Sequence, residues 1–125
     1  MLRDPIQEGL ARGWGAIDVA ALERGQTFEA DVCIVGTGAG GGVTAEILAK
    51  AGLKVILVEE GPLQSSRDFR MKEADAYLQL YQESAARKTR DKAINILQGR
   101  CVGGSTTVNW TSSFRTPETT LRHWR

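Results

Sequence analysis

The sequence predicts an α/β fold built on one strand-helix-strand unit, and three observations predict it. Residues 31–35 form a short apolar run rich in β-branched side chains that feeds directly into Gly36-Thr37-Gly38-Ala39-Gly40-Gly41. Beyond those glycines the apolar period changes from two to nearly four, and the pattern stops at Gly52. Residues 54–58 are a second apolar run, too short for a helix and almost unbroken, which ends on Glu59; an unbroken run is how a parallel strand covered on both faces reads.

Each piece follows from its residues. In the predicted helix Val43, Ile47 and Leu48 are expected to face the sheet, with Ala45 and Ala49 small enough for close approach. Gly36 permits the sharp turn out of the strand, Gly38 leaves no Cβ against an incoming anion, and Gly41 lets the helix pack on the first strand. The unpaired N–H groups of a helix start and roughly half a positive charge from its dipole favour a diphosphate there without a lysine. Glu59 lies eighteen residues after Gly41. At the tip of the second strand its carboxylate can accept both hydrogens of an adenosine ribose diol, and with Glu60 beside it would repel a 2′-phosphate, which disfavours NADP. The unit is therefore Rossmann-like, and it is incomplete, because a doubly wound sheet needs more strands than this unit supplies.

Composition narrows the function classes. The 125 residues allow one domain at most, divided as an arm over 1–28 and the α/β portion over 29–125. Hydrophobic residues make up 42% and charged residues 25%, as in a soluble globular protein, and no stretch approaches the roughly twenty apolar residues of a membrane span. Sixteen basic against fifteen acidic side chains leave +1, so nothing favours nucleic acid or an anionic membrane. Cys33 and Cys101 are too few and too far apart for a metal site, and both are expected to be reduced packing residues. Residues 1–18 carry no apolar core or cleavage site of a signal peptide, so a cytoplasmic location is expected.

Leu2, Ile6 and Leu10 recur every four residues, which predicts a short amphipathic helix starting at Pro5 with Asp4 as its cap and Trp14 anchoring it on the body. Gly61-Pro62 turns the chain, and Ser65-Ser66 can start a helix over 68–82 with Phe69, Leu78 and Tyr81 among its apolar positions. Residues 87–92 read as a solvated loop and 94–98 as a weak strand. The stretch from Gly99 to Trp110, GRCVGGSTTVNW, sets paired glycines before three hydroxyls and an amide. Its backbone can lie against a flat ring, and its N–H groups could form a second nest for a diphosphate or the polar edge of a flavin.

The order GTGAGG, LVEEG and GRCVGGSTTVNW resembles the FAD domain of the glucose-methanol-choline (GMC) oxidoreductases, flavoenzymes that oxidise alcohols, and the resemblance covers about residues 30–124. It implies that Gly36, Gly38, Ala39, Gly40 and Gly41 wrap the FAD diphosphate, that Glu59 holds the adenosine ribose, and that Gly103, Gly104, Ser105 and Asn109 lie along the flavin and its diphosphate, with Ser112 a weaker addition. Thr116-Pro117-Glu118 would start the helix that follows the motif, with Trp124 at its aromatic position. In some relatives a histidine immediately before the asparagine bonds covalently to the flavin; that position is Val108 here, so FAD is expected to be non-covalent. The family's proton-accepting histidine and its partner lie near the C-terminus of a much longer chain, so no catalytic residue is assigned here, and His123 reads as a surface residue. The chain is thus expected to be the N-terminal piece of a larger alcohol oxidoreductase and inactive alone. A nicotinamide-dependent dehydrogenase and a non-catalytic truncated remnant remain alternatives, whereas the absence of Gly-Lys-Ser or Gly-Lys-Thr excludes a P-loop.

Overall fold

The computed structural model describes residues 3–125 as α1 (Pro5–Ala11), β1 (Val32–Val35), α2 (Ala39–Lys50), β2 (Val55–Val58), α3 (Glu73–Leu80), α4 (Ser105–Val108) and α5 (Glu118–Trp124), with short 3₁₀ turns at Val19–Ala21 and Gln82–Ala85. β1 and β2 pair in parallel, with Val32 opposite Val55 and Val35 opposite Val58. A parallel pair needs a crossover, and α2 supplies it. Two hydrogen bonds end this helix. The Gly52 amide reaches the Ala49 carbonyl at 3.0 Å and the Leu53 amide the Leu48 carbonyl at 3.2 Å, the pairing of a Schellman cap.

The face of α2 on the sheet differs from the one expected. Gly41, Ala45 and Leu48, spaced four and three residues apart, are half-buried, while Val43 and Ile47 are 57% and 61% exposed. A Cβ at position 41 would collide with the carbonyl oxygen of Gly36. This glycine lets the helix start lie directly on the end of β1, and that contact turns positions 43 and 47 outward. The two-sided cover expected for β2 is also absent among the described residues. α2 covers one face, so Val55 and Ile56 are half-buried while Leu57 and Val58 are exposed. In β1 the alternation places Val32 and Ile34 under the helix, and Cys33 lies exposed on the open face instead of packing inside.

The arm is held by a polar knot. Asp4 caps α1 by accepting from the Gln7 amide at 3.1 Å, and the same carboxylate accepts from the Ser66 hydroxyl at 3.2 Å and the Arg67 amide at 3.1 Å. Gln7 Nε2 adds a bond to Ser65 Oγ at 3.2 Å. Of the apolar repeat, Ile6 and Leu10 are half-buried and Leu2 lies outside the described residues. Trp14 stacks back over Gly9 of α1 and stays 61% exposed, so the anchor on the body is Asp4.

Ser65 does not start a long helix. Its amide and hydroxyl both donate to Asp68 Oδ2, at 2.7 and 3.1 Å, which closes residues 65–68 into a separate turn and delays α3 to Glu73. On α3 the buried side chain is Leu80, whereas Leu78 is 72% exposed. Residues 80–100 form an irregular hairpin. Its bonds run from Arg100 N to Leu80 O at 2.6 Å, Gln82 N to Gln98 O at 2.9 Å, Ile96 N to Arg87 O at 2.9 Å and Thr89 N to Ile94 O at 3.0 Å. The charged 87–92 segment is therefore one arm and the tip of this hairpin, not a free loop. Its return arm brings Gly99 beside Tyr81 and delivers the second glycine motif to the end of the sheet. α5 begins at Glu118 with Pro117 as the capping position, the helix expected after Thr116.

Asp4 is 2% exposed. Burial opposes its charge, but the nearby Ser65 hydroxyl and hydrogen bonds from the Gln7 and Arg67 amides and the Ser66 hydroxyl outweigh burial and lower its pKa from 3.8 to about 2. A carboxylate whose folded pKa lies below its unfolded value stabilises above the unfolded value and loses that contribution as pH falls through the folded one. Protection of the Gln7 and Arg67 amides against solvent exchange is therefore expected to be full above pH 3.8 and to fall towards pH 2. In Asp4→Asn, protection should be reduced at neutral pH and lack that transition; undiminished protection in this variant would contradict the knot.

Candidate cofactor site

The site begins where β1 runs out. Gly36 N donates to Val58 O at 2.8 Å, the last bond of the strand pair, and the chain then turns into α2. The amides of Gly38, Ala39, Gly40 and Gly41 have no acceptor among the described residues, as the first four N–H groups of a helix should not. A Cβ built at Gly38 or Gly40 would meet nothing within 4 Å, so the Cβ side of these two positions is uncrowded. No acidic side chain occupies the first turn of α2. Four donors at the positive end of a twelve-residue helix, with uncrowded glycines among them and no competing carboxylate, fit a diphosphate such as that of FAD.

Glu59 stands beside this opening, half-buried at the end of β2. Its Oε2 accepts from the Thr37 amide at 2.9 Å and the Thr37 hydroxyl at 2.7 Å, and its Oε1 accepts from the Gly61 amide at 3.1 Å. Burial raises the Glu59 pKa, but bonds from the Thr37 hydroxyl, the Thr37 amide and the Gly61 amide more than offset it, so the carboxylate stays below its ordinary value of 4.5. Glu60 points elsewhere and forms a surface pair with Arg100 Nε at 3.4 Å.

The second glycine motif packs on the first. Gly103 N donates to the Thr37 hydroxyl at 3.0 Å. Gly104 has φ 55°, and a Cβ there would sit 3.1 Å from the Cα of Gly38, so the two glycine turns meet backbone to backbone. Most donors of the motif are spent internally. Gly104 N bonds Cys101 O at 2.8 Å, Asn109 Nδ2 bonds Thr106 O at 2.9 Å, and Ser105 Oγ accepts from Gly99 N at 3.0 Å. The second amide nest expected around Gly103 and Gly104 is therefore not free, because Thr37 and Cys101 occupy both N–H groups. Ser105 keeps its own hydroxyl proton and follows the Gly104 that meets Gly38; Ser105 and Asn109 are both exposed.

Two contributors, Thr37 and Tyr81, escaped the sequence reading, whereas Cys101 is the reduced packing residue expected. Thr37 falls at a variable position of a glycine pattern, so nothing in the pattern marks it. Cys101 is fully buried with its Sγ 3.7 Å from Gly104 O, and burial, with the charge of Glu59 adding to it, outweighs a bond with Thr107 and pushes the thiol pKa up, so it packs as a neutral group. Tyr81 reaches Val108 O through its hydroxyl at 3.1 Å and packs edge-to-face on Tyr77 at 5.3 Å, which ties α4 to α3. Among the described residues no cluster of histidine, cysteine or acid could hold a metal ion, and no helix is long and apolar enough to cross a membrane.

Comparison with known proteins agrees with this geometry. Residues 29–70 match a family model described as FAD binding domain, and residues 77–125 match one described as GMC oxidoreductase. A long-chain-alcohol oxidase of Arabidopsis thaliana is 44% identical over 94 residues, which are 75% of this chain and 13% of that protein. A second from the same plant is 38% identical over 97 residues, covering 78% of this chain and 13% of its own length. An uncharacterized GMC-type oxidoreductase of Mycobacterium tuberculosis is 40% identical over 98 residues, covering 77% of this chain and 16% of its own length. The chain thus spans about an eighth to a sixth of these relatives. No solved structure matches it. With a strand-helix-strand unit, an open helix start and a second glycine motif seated on it, the chain carries an FAD-binding region similar to that of the GMC oxidoreductases.

Proposed function

We propose that this chain binds and orients FAD in an enzyme that oxidises the CH–OH group of an alcohol. The observation that carries the cofactor role is the row of four unpartnered amides at residues 38–41, with uncrowded glycines at 38 and 40 and flanked by Glu59 and by Gly103-Gly104. The amides of Gly38, Ala39, Gly40 and Gly41 hold the diphosphate, with Gly36 turning the chain into the cradle. Thr37 fills Oε2 of Glu59, so Oε1, with one bond from Gly61, is the atom that receives a ribose hydroxyl. The reading narrows from both hydroxyls of the diol to one, because three donors already use the carboxylate.

Gly103, Gly104, Ser105 and Asn109 border the flavin side of the cradle. Their contribution is shape and orientation, with the Ser105 hydroxyl able to donate, because the other donors are bound internally. The chemistry that FAD supplies when bound is acceptance of a hydride from the alcohol carbon. His123, the only histidine, is exposed on α5 and accepts no proton in this scheme. The substrate assignment is supported by the plant relatives, which are long-chain-alcohol oxidases, and places a long-chain alcohol first among candidates.

Three outcomes test the proposal in the full-length protein. Glu59→Gln should weaken FAD binding, followed by flavin fluorescence, about ten- to a hundredfold, the equivalent of one charge-assisted hydrogen bond of about 1.5–3 kcal/mol; unchanged affinity would remove Glu59 from the ribose site. Because Val108 offers no nucleophile, acid precipitation should release all of the flavin to the supernatant, and flavin retained in the pellet would contradict non-covalent binding. Anaerobic addition of a long-chain primary alcohol should bleach the visible flavin band, whereas a band unmoved by any alcohol would reject the CH–OH assignment.

A further inference from the structure

We infer that Thr37 is a positioning residue that couples the two halves of the cofactor site, holding Glu59 at the adenosine end and Gly103 at the flavin end in one hydrogen-bonded unit. The inference rests on the FAD reading of residues 36–41, 59 and 103–109. A threonine hydroxyl has one proton to give and lone pairs to receive. Here the proton goes to Glu59 Oε2 at 2.7 Å, and the Gly103 N–H comes in at 3.0 Å, from residues 22 and 66 positions away in sequence. The Thr37 amide bonds the same Oε2 at 2.9 Å. The carboxylate is thus gripped from two directions, which turns Oε2 inward and leaves Oε1 towards the cradle.

The two bonds on the hydroxyl are not independent. Donation to an ionised carboxylate polarises the hydroxyl oxygen and makes it a better acceptor for the Gly103 N–H. Whatever draws on the Glu59 charge, a ribose hydroxyl included, is therefore felt at Gly103. Gly103 is followed by Gly104, whose backbone lies against that of Gly38, so the two glycine turns are in contact beside this bond. A small displacement at the ribose end is handed to the flavin end through a single oxygen atom. Valine has the shape of threonine but neither bond, whereas serine keeps both.

The test is a double-mutant cycle in the full-length protein, read as FAD affinity, with the visible circular dichroism of the bound flavin as a second signal. Thr37→Val is expected to weaken FAD about ten- to a hundredfold and to alter the flavin signal, although residue 37 lies at the other end of the cofactor. Thr37→Ser should restore both. Thr37→Val combined with Glu59→Gln should lose little more than either change alone. Additive losses, or a flavin signal identical in Thr37→Val and wild type, would overturn the coupling. If Thr37→Val does not fold, Thr37→Ala takes its place in the cycle under the same criteria. A wild-type protein that fails to bind FAD overturns the cofactor reading and the coupling together; FAD binding that responds to Glu59→Gln but not to Thr37→Val overturns the coupling alone.

Discussion

The hydroxyl of Thr37, set between the Glu59 carboxylate and the Gly103 amide, is the contact on which the rest of the structure depends. A carboxylate half-buried at the end of a strand is costly unless its lone pairs are used, because leaving such a group unpaired forfeits more than a single bond is worth. Thr37 and Gly61 use them. In doing so they fasten the bend after β1, the tip of β2 and the second glycine motif to one point. The open amides of α2, the direction of Oε1 and the seating of Gly104 on Gly38 all follow from that junction.

Little apolar surface supports this arrangement. Leu80 at 6% and Cys101 at 0% are the buried apolar side chains named among the described residues, while Val35, Val43, Ile47, Leu57 and Val58 stay exposed around the two-stranded sheet. One helix on one face cannot cover a sheet that offers two. Polar knots carry the long-range order in its place. The Asp4 carboxylate ties the arm to residues 66 and 67, the Glu59 carboxylate ties the two glycine motifs, and the hairpin bonds of residues 80–100 return the chain to the same spot. The Asp4 and Glu59 knots use ionised carboxylates, so acid should loosen them while the backbone bonds of the hairpin and the sheet pairing persist.

The strand-helix-strand unit was legible because its signals are local. Period, the closing Gly52 and the terminal Glu59 each depend on a few neighbouring residues, as does the Asp4 cap with Pro5 behind it. What failed depended on distant partners. Val43 and Ile47 look like a sheet-facing pair in isolation, but the collision that a Cβ at Gly41 would suffer fixes a different face. Ser65 looks like a helix start until Asp68 takes its amide. The 87–92 segment is largely solvated, as its charges indicate, but nothing in its sequence marks the backbone bonds that make it a hairpin arm. Of the site, the glycines and Glu59 were readable; Thr37 was not, since its importance comes from residues 22 and 66 positions away.

The most direct measurement is an experimental structure of the full-length protein with FAD bound. The diphosphate is predicted on the amides of residues 38–41, one ribose hydroxyl on Glu59 Oε1, and Oε2 still held by Thr37 with Gly103 on the far side of the same hydroxyl. A diphosphate bound away from those amides, or a Glu59 side chain swung off Thr37 into solvent, would contradict the account.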